Sequence, residues 1–265
     1  MSSNNIIVPL ITPLDKVGDV CEFSVQKLLQ QCGKYSYGVI PCLSSGEGWC
    51  LSEKQWTDMV RFCIQNSSNQ YVIAGIERPT TDEVIYYINI AKSLYVDGVM
   101  VTTPFGEHIS QDEMLDHYTE ISKNCDCDLW VYHEMSLSQN ILSLKNLVSI
   151  SKLNNVVGIK DSGDDAVIMD NVYLFNQNGV SVYHGMEDKL VSGDGYSGNI
   201  VSLSNLYPEI CKEACSIGAG KELQDKINII CEDYLLTDED WYKHIKIELF
   251  NRNVILTDNI VGKLI

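Results

Sequence analysis

Short apolar runs alternate along the chain with longer stretches in which apolar residues recur every three or four positions. The runs predict eight β-strands, over residues 6–11, 37–43, 71–76, 98–103, 129–133, 156–160, 180–185 and 198–202. The longer stretches favour amphipathic helices, since apolar side chains at this spacing share one helix face. The clearest of these helices are predicted over 52–65, 81–95, 111–123 and 142–153.

Hydroxyl residues mark where several helices begin. Thr80, Ser52 and Ser110 each stand shortly before acidic residues and an apolar-periodic run. A side-chain oxygen accepts a hydrogen bond from a free amide of the first turn, and acidic residues there oppose the positive end of the helix dipole. All three residues are therefore predicted to be N-caps.

Eight near-continuously apolar strands, each followed by a helix, indicate a parallel sheet covered on both faces. Closed into a ring, this is the α/β architecture of the (β/α)8 TIM barrel, which needs ~250 residues; the chain has 265. A doubly wound open sheet is the alternative, because the seventh unit offers only 187–194 as a helix. Two more helices, over 221–236 and 238–250, predict a barrel domain at 1–218 and a C-terminal helical appendage at 219–265.

Charge and composition narrow the choice of partners. The formal net charge of −17, from 36 acidic and 19 basic residues, would repel nucleic acid and anionic membranes, so we expect neither as a partner. No apolar run approaches the ~20 residues that span a bilayer, and the N-terminus lacks the basic start of a signal peptide. Together with ten scattered cysteines, which we interpret as reduced thiols, this predicts a cytoplasmic protein. Cys125 and Cys127 are poorly spaced for a metal, and no second pair accompanies them.

Lys160 is the first candidate for chemistry, because it ends the sixth predicted strand. Active sites of such barrels lie at the C-terminal ends of the strands. An amine that loses solvent has a lower pKa and can attack a carbonyl carbon. Taken alone, a lysine at this position can equally well reach solvent or pair with a carboxylate.

Tyr132 and a serine-rich loop complete the candidate site. Tyr132 ends the fifth predicted strand, and neighbouring strands lie about 5 Å apart, so Tyr132 and Lys160 can reach one substrate. Ser44, Ser45 and Gly46 follow the second strand, where hydroxyls and amides can bind a carboxylate. Serine and glycine are also common in ordinary loops.

Taken together, these motifs resemble the dihydrodipicolinate synthase and N-acetylneuraminate lyase family of Schiff-base aldolases. The resemblance runs from about Ile7 to Pro208 with nearly the family's spacing. The matching segments are Pro9-Leu10-Ile11-Thr12-Pro13, Ser44-Ser45-Gly46-Glu47, Leu51-Ser52-Glu53, Val101-Thr102-Thr103-Pro104, Val131-Tyr132 and Gly158-Ile159-Lys160-Asp161-Ser162. The last of these, placed after a strand-ending tyrosine, is the most specific.

The resemblance implies a role for each candidate residue. Lys160 would form a Schiff base with pyruvate or a related 2-oxo acid, and Tyr132 would move protons. Five residues would bind the 2-oxo acid: Ser44, Ser45, Gly46, Glu134 and Ile200. It further implies an aldehyde co-substrate, no cofactor or metal, and a homo-oligomer, either a dimer or a tetramer.

The chain also departs from the synthase pattern. Gly106 stands where the synthases carry a tyrosine that reaches a neighbouring subunit, and Leu137 stands where they carry a basic residue that binds the second substrate's carboxylate. After Tyr132, alternation predicts that either His133 or Glu134 points away from the barrel centre. The appendage is shorter than in the family.

Three functions follow from these departures. The sequence favours a pyruvate-dependent aldolase or lyase that uses an aldehyde other than the usual synthase substrate. The alternatives are a divergent 4-hydroxy-tetrahydrodipicolinate synthase and, in another class, a catalytically silent sensor of 2-oxo acids. Intact Lys160 and Tyr132 argue against the silent sensor, whereas Gly106 and Leu137 leave it open.

Overall fold

The chain folds into a closed barrel of eight parallel strands in sequential order, as predicted, so the open-sheet alternative is wrong. The computed structural model describes residues 5–163, 166–191, 195–216 and 218–262. The strands are β1 Asn5–Pro9, β2 Ser36–Ile40, β3 Tyr71–Ile76, β4 Gly98–Val101, β5 Asp128–His133, β6 Val156–Asp161, β7 Ser181–His184 and β8 Gly198–Asn199. The seam closes where β8 pairs with β1.

Nine α-helices lie within these described ranges. They are α1 Glu22–Cys32, α2 Glu53–Asn66, α3 Thr81–Ser93, α4 Gln111–Asn124, α5 Leu144–Ile150, α6 Val172–Gln177, α7 Pro208–Ala214, α8 Lys221–Asp233 and α9 Trp241–Asn251. The predicted caps are confirmed: Ser52 and Ser110 form capping boxes with Gln55 and Glu113, and Thr80 accepts from the third amide of α3. None of these helices is long and apolar enough to cross a bilayer.

Several predicted strands extend too far at their C-terminal ends. The second strand ends at Ile40 because Pro41 has no N–H to donate and Cys42 adopts a left-handed conformation with φ of 63°. The eighth ends at Asn199, and a 3-10 turn at Ser202–Asn205 replaces its predicted last residue. Because these strands end early, residues of the candidate site such as Ser44 and Ile200 lie in the loops that follow them.

Apolar and aromatic side chains fill the barrel interior, and the polar groups of the candidate site lie at its C-terminal mouth. The buried inner cluster consists of Ile7, Ile40, Leu43, Ile73, Met100, Trp130, Tyr132, Tyr183 and Ile200. Beyond α7 the chain continues into α8 and α9, the predicted appendage helices, and residues 252–262 then run without a further helix. The boundary at 218 stays a prediction.

Candidate active site

Lys160 and Tyr132 meet at the C-terminal mouth of the barrel. They are direct partners in the register between β5 and β6, so their side chains lie on the same face of the sheet. Lys160 Nζ lies 3.9 Å from the centroid of the Tyr132 ring, and both residues are buried. This arrangement brings an amine and a phenol to one place, as the two strand ends predicted.

The predicted carboxylate-binding loop is a 3-10 turn over Ser44–Gly46. Its last N–H donates to the Leu43 carbonyl at 2.7 Å, and Thr12 Oγ1 donates to the Gly46 carbonyl at 2.7 Å. A Cβ at Gly46 would lie 2.7 Å from the Leu10 carbonyl oxygen, so the turn needs glycine to pack against the end of β1. These contacts to the backbone of the loop therefore fix its position against the end of β1.

The two serine hydroxyls of this turn have different partners. Ser45 is buried, and its Oγ shares a hydrogen bond of 2.7 Å with Ser202 Oγ, beyond β8. Ser44 is half-buried and donates to the Glu77 carboxyl group, beyond β3. The turn consequently links the ends of three strands around the mouth.

Ile200, the predicted apolar member of the site, directly follows β8. It is fully buried in the inner cluster that also contains Tyr132, and its N–H donates to the His184 carbonyl at 2.7 Å. This hydrogen bond holds the end of β8 against β7. Ile200 thus forms an apolar wall near the phenol.

Glu134 is the first residue after β5, and its side chain is hydrogen-bonded within the turn that begins there. Its carboxylate accepts hydrogen bonds from the N–H groups of Leu137 at 2.8 Å and Ser138 at 3.1 Å, and from Ser136 Oγ at 3.3 Å. The structure therefore gives this buried acid a role in ordering the segment, and its contact with substrate stays a prediction. His133 lies on the other face of β5 from Tyr132, because side chains alternate along a strand.

The position of the expected tyrosine is a glycine with an unusual backbone. Gly106 has a φ of +125°, and nothing lies within 4 Å of where a Cβ would be. Its N–H donates to the Ser138 carbonyl at 3.1 Å, while Asn140 Nδ2 donates to the carbonyls of Pro104 at 2.8 Å and Gly106 at 2.9 Å. One backbone hydrogen bond and two from the Asn140 side chain thus join the loop after β4 to the segment after β5.

Glu77 is a site residue that the sequence analysis missed. It follows β3 directly, is 1% exposed, and its Oε2 has no hydrogen-bond partner in the part of the chain that the structure describes. Burial raises its pKa to about 8 against the hydrogen bond from Ser44; the charge of Glu134 adds to the rise, whereas Lys160 and Arg78 oppose it. An acidic residue at the C-terminal end of a predicted strand was the available signal.

Glu47 is a second acid in this region, and the sequence analysis named it only as part of the motif Ser44-Ser45-Gly46-Glu47. Glu47 ends the serine-rich segment and forms a buried ion pair with Lys246 of α9. Lys246 Nζ also donates to the Asn259 carbonyl at 3.0 Å, and the Val261 N–H donates to Glu47 Oε2 at 2.7 Å. Helix α9 and the residues that follow it are thereby attached to the loop that carries both serines.

The chain is similar in sequence and in fold to proteins of one known family. A family model described as the dihydrodipicolinate synthetase family matches residues 2–258. The 4-hydroxy-tetrahydrodipicolinate synthase of Clostridium novyi is 25% identical over 228 residues, which are 84% of this chain and 76% of that protein. A dihydrodipicolinate synthase structure from Bacillus anthracis has a TM-score of 0.89 at 19% identity, covering 100% of this chain and 93% of that one. The Acinetobacter baumannii synthase, solved with pyruvate, has a TM-score of 0.85 at 23% identity, covering 99% and 93%.

Proposed function

Because the chain belongs to the dihydrodipicolinate synthetase family, we propose that Lys160 forms a Schiff base with pyruvate or a related 2-oxo acid. The relatives in this family are synthases and lyases, and the chain is an enzyme that acts on carbon–carbon bonds. The bond that it forms or cleaves joins C3 of the 2-oxo acid to the carbonyl carbon of an aldehyde.

The observation that carries this proposal is the buried contact between Lys160 and Tyr132. Nζ lies 3.9 Å from the ring centroid, on neighbouring strand ends, in a family with a member solved in complex with pyruvate. A nucleophilic amine beside a proton-exchanging group is the arrangement that covalent catalysis through an imine requires. In this proposal Ser44, Ser45 and Gly46 bind the carboxylate of the 2-oxo acid. Ile200 contacts the apolar side of the same molecule.

The first half of the reaction creates a carbon nucleophile. The neutral amine of Lys160 attacks C2 of the 2-oxo acid, and loss of water from the carbinolamine gives a protonated imine. C3 then loses a proton: the electron pair of that C–H bond forms a double bond between C2 and C3, and the π electrons of the imine move to its nitrogen. Tyr132 supplies and accepts protons during these steps.

The second half uses the resulting enamine. Its C3 attacks the aldehyde carbon, the aldehyde oxygen takes up a proton, and the imine forms again. Water adds to C2 and releases a 4-hydroxy-2-oxo acid together with free Lys160. The reverse order of the same steps cleaves the bond.

Exchange of the pyruvate methyl protons in D₂O tests this function without knowledge of the aldehyde. We expect the wild-type protein to replace these protons with deuterium, as followed by NMR, because enamine formation removes a proton from C3. A protein that only senses 2-oxo acids would bind pyruvate without exchange. Absence of exchange at saturating pyruvate would count against the proposed enzyme.

Replacing Tyr132 with phenylalanine should slow this exchange by about a hundredfold, a typical loss for one acid–base group. The Schiff base should still be trapped at long incubation, since the amine remains. Tyr183→Phe is the matched control: Tyr183 pairs with Lys160 from β7, and its ring packs against Trp130 in the barrel interior, with 5.4 Å between the ring centroids. Equal slowing in both variants would refute the role of Tyr132.

The aldehyde in this proposal carries no negative charge. Leu137 occupies the position at which the synthases bind a carboxylate, and it donates its N–H to the buried Glu134. The guanidinium of Arg78 donates to the backbone carbonyls of Gly48 and Leu51, so it is already engaged. An anionic acceptor that approached this position would meet the acid Glu134.

Butanal and 4-oxobutanoate, two four-carbon aldehydes, test this preference because only the second carries a carboxylate. We expect butanal to react with the enamine at least about tenfold faster, a factor that corresponds to roughly 1.4 kcal/mol of repulsion. Product formation is measured by mass spectrometry with pyruvate held constant. In Glu134→Gln the difference should shrink; a wild-type preference for 4-oxobutanoate would contradict the proposal.

The cytoplasmic location and the homodimer or homotetramer predicted from the sequence are also part of this proposal. The family resemblance supports the assembly, and the ten cysteines, interpreted as reduced thiols, support the location. Sedimentation velocity of the purified chain at micromolar concentration measures the assembly directly, and a monomer there would refute that part alone.

A further inference from the structure

Glu77 is a buried acid that the reaction proposed above does not use. Its Oε1 is hydrogen-bonded to Ser44 Oγ, and its Oε2 packs against the backbone of Gly48, where a Cβ would lie 2.8 Å away. Oε2 has no hydrogen-bond partner within the described ranges. A carboxylate with one unsolvated, unpartnered oxygen is costly to bury, which favours the neutral acid.

Charged groups face Glu77 from three directions. Glu134, beyond β5, disfavours its ionisation, whereas Lys160 of β6 and Arg78 of its own segment favour it. Burial outweighs the two cations and raises the pKa of Glu77 to about 8, so the group is neutral below that pH.

Two thiols also interact with Glu77. Cys42, at the end of the second predicted strand, and Cys50, beside the serine turn, both have a pKa raised by burial. They therefore stay uncharged while Glu77 titrates. The charge of Glu77 is the quantity that changes near neutral pH.

We propose that Glu77 is a positioning residue that sets, through Ser44, the affinity of the site for the anionic 2-oxo acid. This inference rests on the proposed function, in which Ser44 donates to the substrate carboxylate. Glu77 touches Ser44 and acts only through its hydroxyl.

The hydroxyl of Ser44 carries one hydrogen. When Glu77 is ionised, Ser44 must donate that hydrogen to it and presents only lone pairs to the substrate. When Glu77 is neutral, its own hydroxyl donates to Ser44, whose hydrogen is then free to bind a carboxylate. The site therefore binds 2-oxo acids in the protonated form of Glu77.

Ser45 does not share this control. Its Oγ is paired with Ser202, a neutral hydroxyl, at 2.7 Å. Glu187 is another acid that interacts with Lys160, but it accepts from the Leu203 N–H at 3.2 Å and lies beyond β7. Glu187→Gln thus removes a similar charge while leaving Glu77 and Ser44 unchanged.

The test is the half-saturating pyruvate concentration for borohydride trapping, measured at pH 6 and pH 9 in wild type, Glu77→Gln and Glu187→Gln. For each pH, the wild-type concentration is divided by that of Glu77→Gln. We expect this ratio to rise about tenfold from pH 6 to pH 9, because the wild type loses one hydrogen bond to a charged group. The relative measure removes the pH effects on Lys160 that all proteins share. Glu187→Gln should retain the wild-type rise.

Ser44→Ala keeps the proposal testable if Glu77→Gln does not fold. It should bind pyruvate about tenfold more weakly than wild type at pH 6 and equally well at pH 9, because Ser44 donates to the substrate carboxylate only while Glu77 is neutral. Two results would overturn the inference. In the first, the half-saturating pyruvate concentration of Glu77→Gln changes with pH as much as that of the wild type. In the second, Ser44→Ala loses the same factor of pyruvate affinity at pH 6 and at pH 9. Absence of trapping in the wild type would instead refute the Schiff-base function.

Discussion

Lys160→Ala should lose all reduced pyruvate adduct and slow carbon–carbon bond formation by roughly 10⁴-fold or more, as expected when a covalent nucleophile is removed. The amine makes the bond to C2, and no other group at the mouth replaces it in this account. Rates are measured by the methyl exchange of pyruvate and by product formation with an aldehyde.

Two controls separate the nucleophile from its charge. Lys160→Arg retains a buried cation beside Tyr132 but has no nucleophilic amine, so it should be as inactive as the alanine variant. Lys145→Ala removes an exposed lysine of α5 and should behave as wild type. Substantial exchange by Lys160→Arg would show that the positive charge alone accounts for the activity.

Lys246→Met should lower the free energy of unfolding by about 3–5 kcal/mol, because it leaves the buried carboxylate of Glu47 without its cation. The side chains of Lys246 and Glu47 are 0% and 2% exposed. Chemical denaturation measures the loss. The same change should also weaken pyruvate binding, since Glu47 ends the loop that carries Ser44 and Ser45.

The same helix offers a matched control. Lys243 forms an ion pair with Asp240 that is partly open to solvent, so Lys243→Met should cost less than about 1 kcal/mol. In the double variant Glu47→Gln/Lys246→Met both charges are gone, and stability should partly recover. A double variant no more stable than Lys246→Met would contradict the buried-charge explanation.

The fold was predictable because its signals are local. Tyr71–Ile76 is found with the predicted bounds, and Ser52 and Ser110 are N-caps through contacts only three residues away. The meeting of Lys160 and Tyr132 was also predictable, since parallel neighbours bring their C-terminal ends to one edge. A repeated pattern therefore gave both the barrel and the centre of the candidate site.

The remaining contacts of the site depend on the folded backbone. Lys246 and Glu47 are 199 positions apart, and neither residue's neighbours indicate the pairing. Glu77 could be placed at a strand end, but its contact with Ser44 depends on the 3-10 turn that follows β2. The contact of Glu134 with substrate stays a prediction, and the hydrogen bonds of its carboxylate to the amides of its own turn depend on a conformation that the sequence does not specify.

Borohydride reduction in the presence of pyruvate tests the central claim most directly. The account predicts that the intact protein gains the mass of one reduced pyruvyl group and that peptide mapping finds it on Lys160. Wild-type protein that gains no mass with pyruvate or other 2-oxo acids, or that carries the group on a different lysine, would contradict the account.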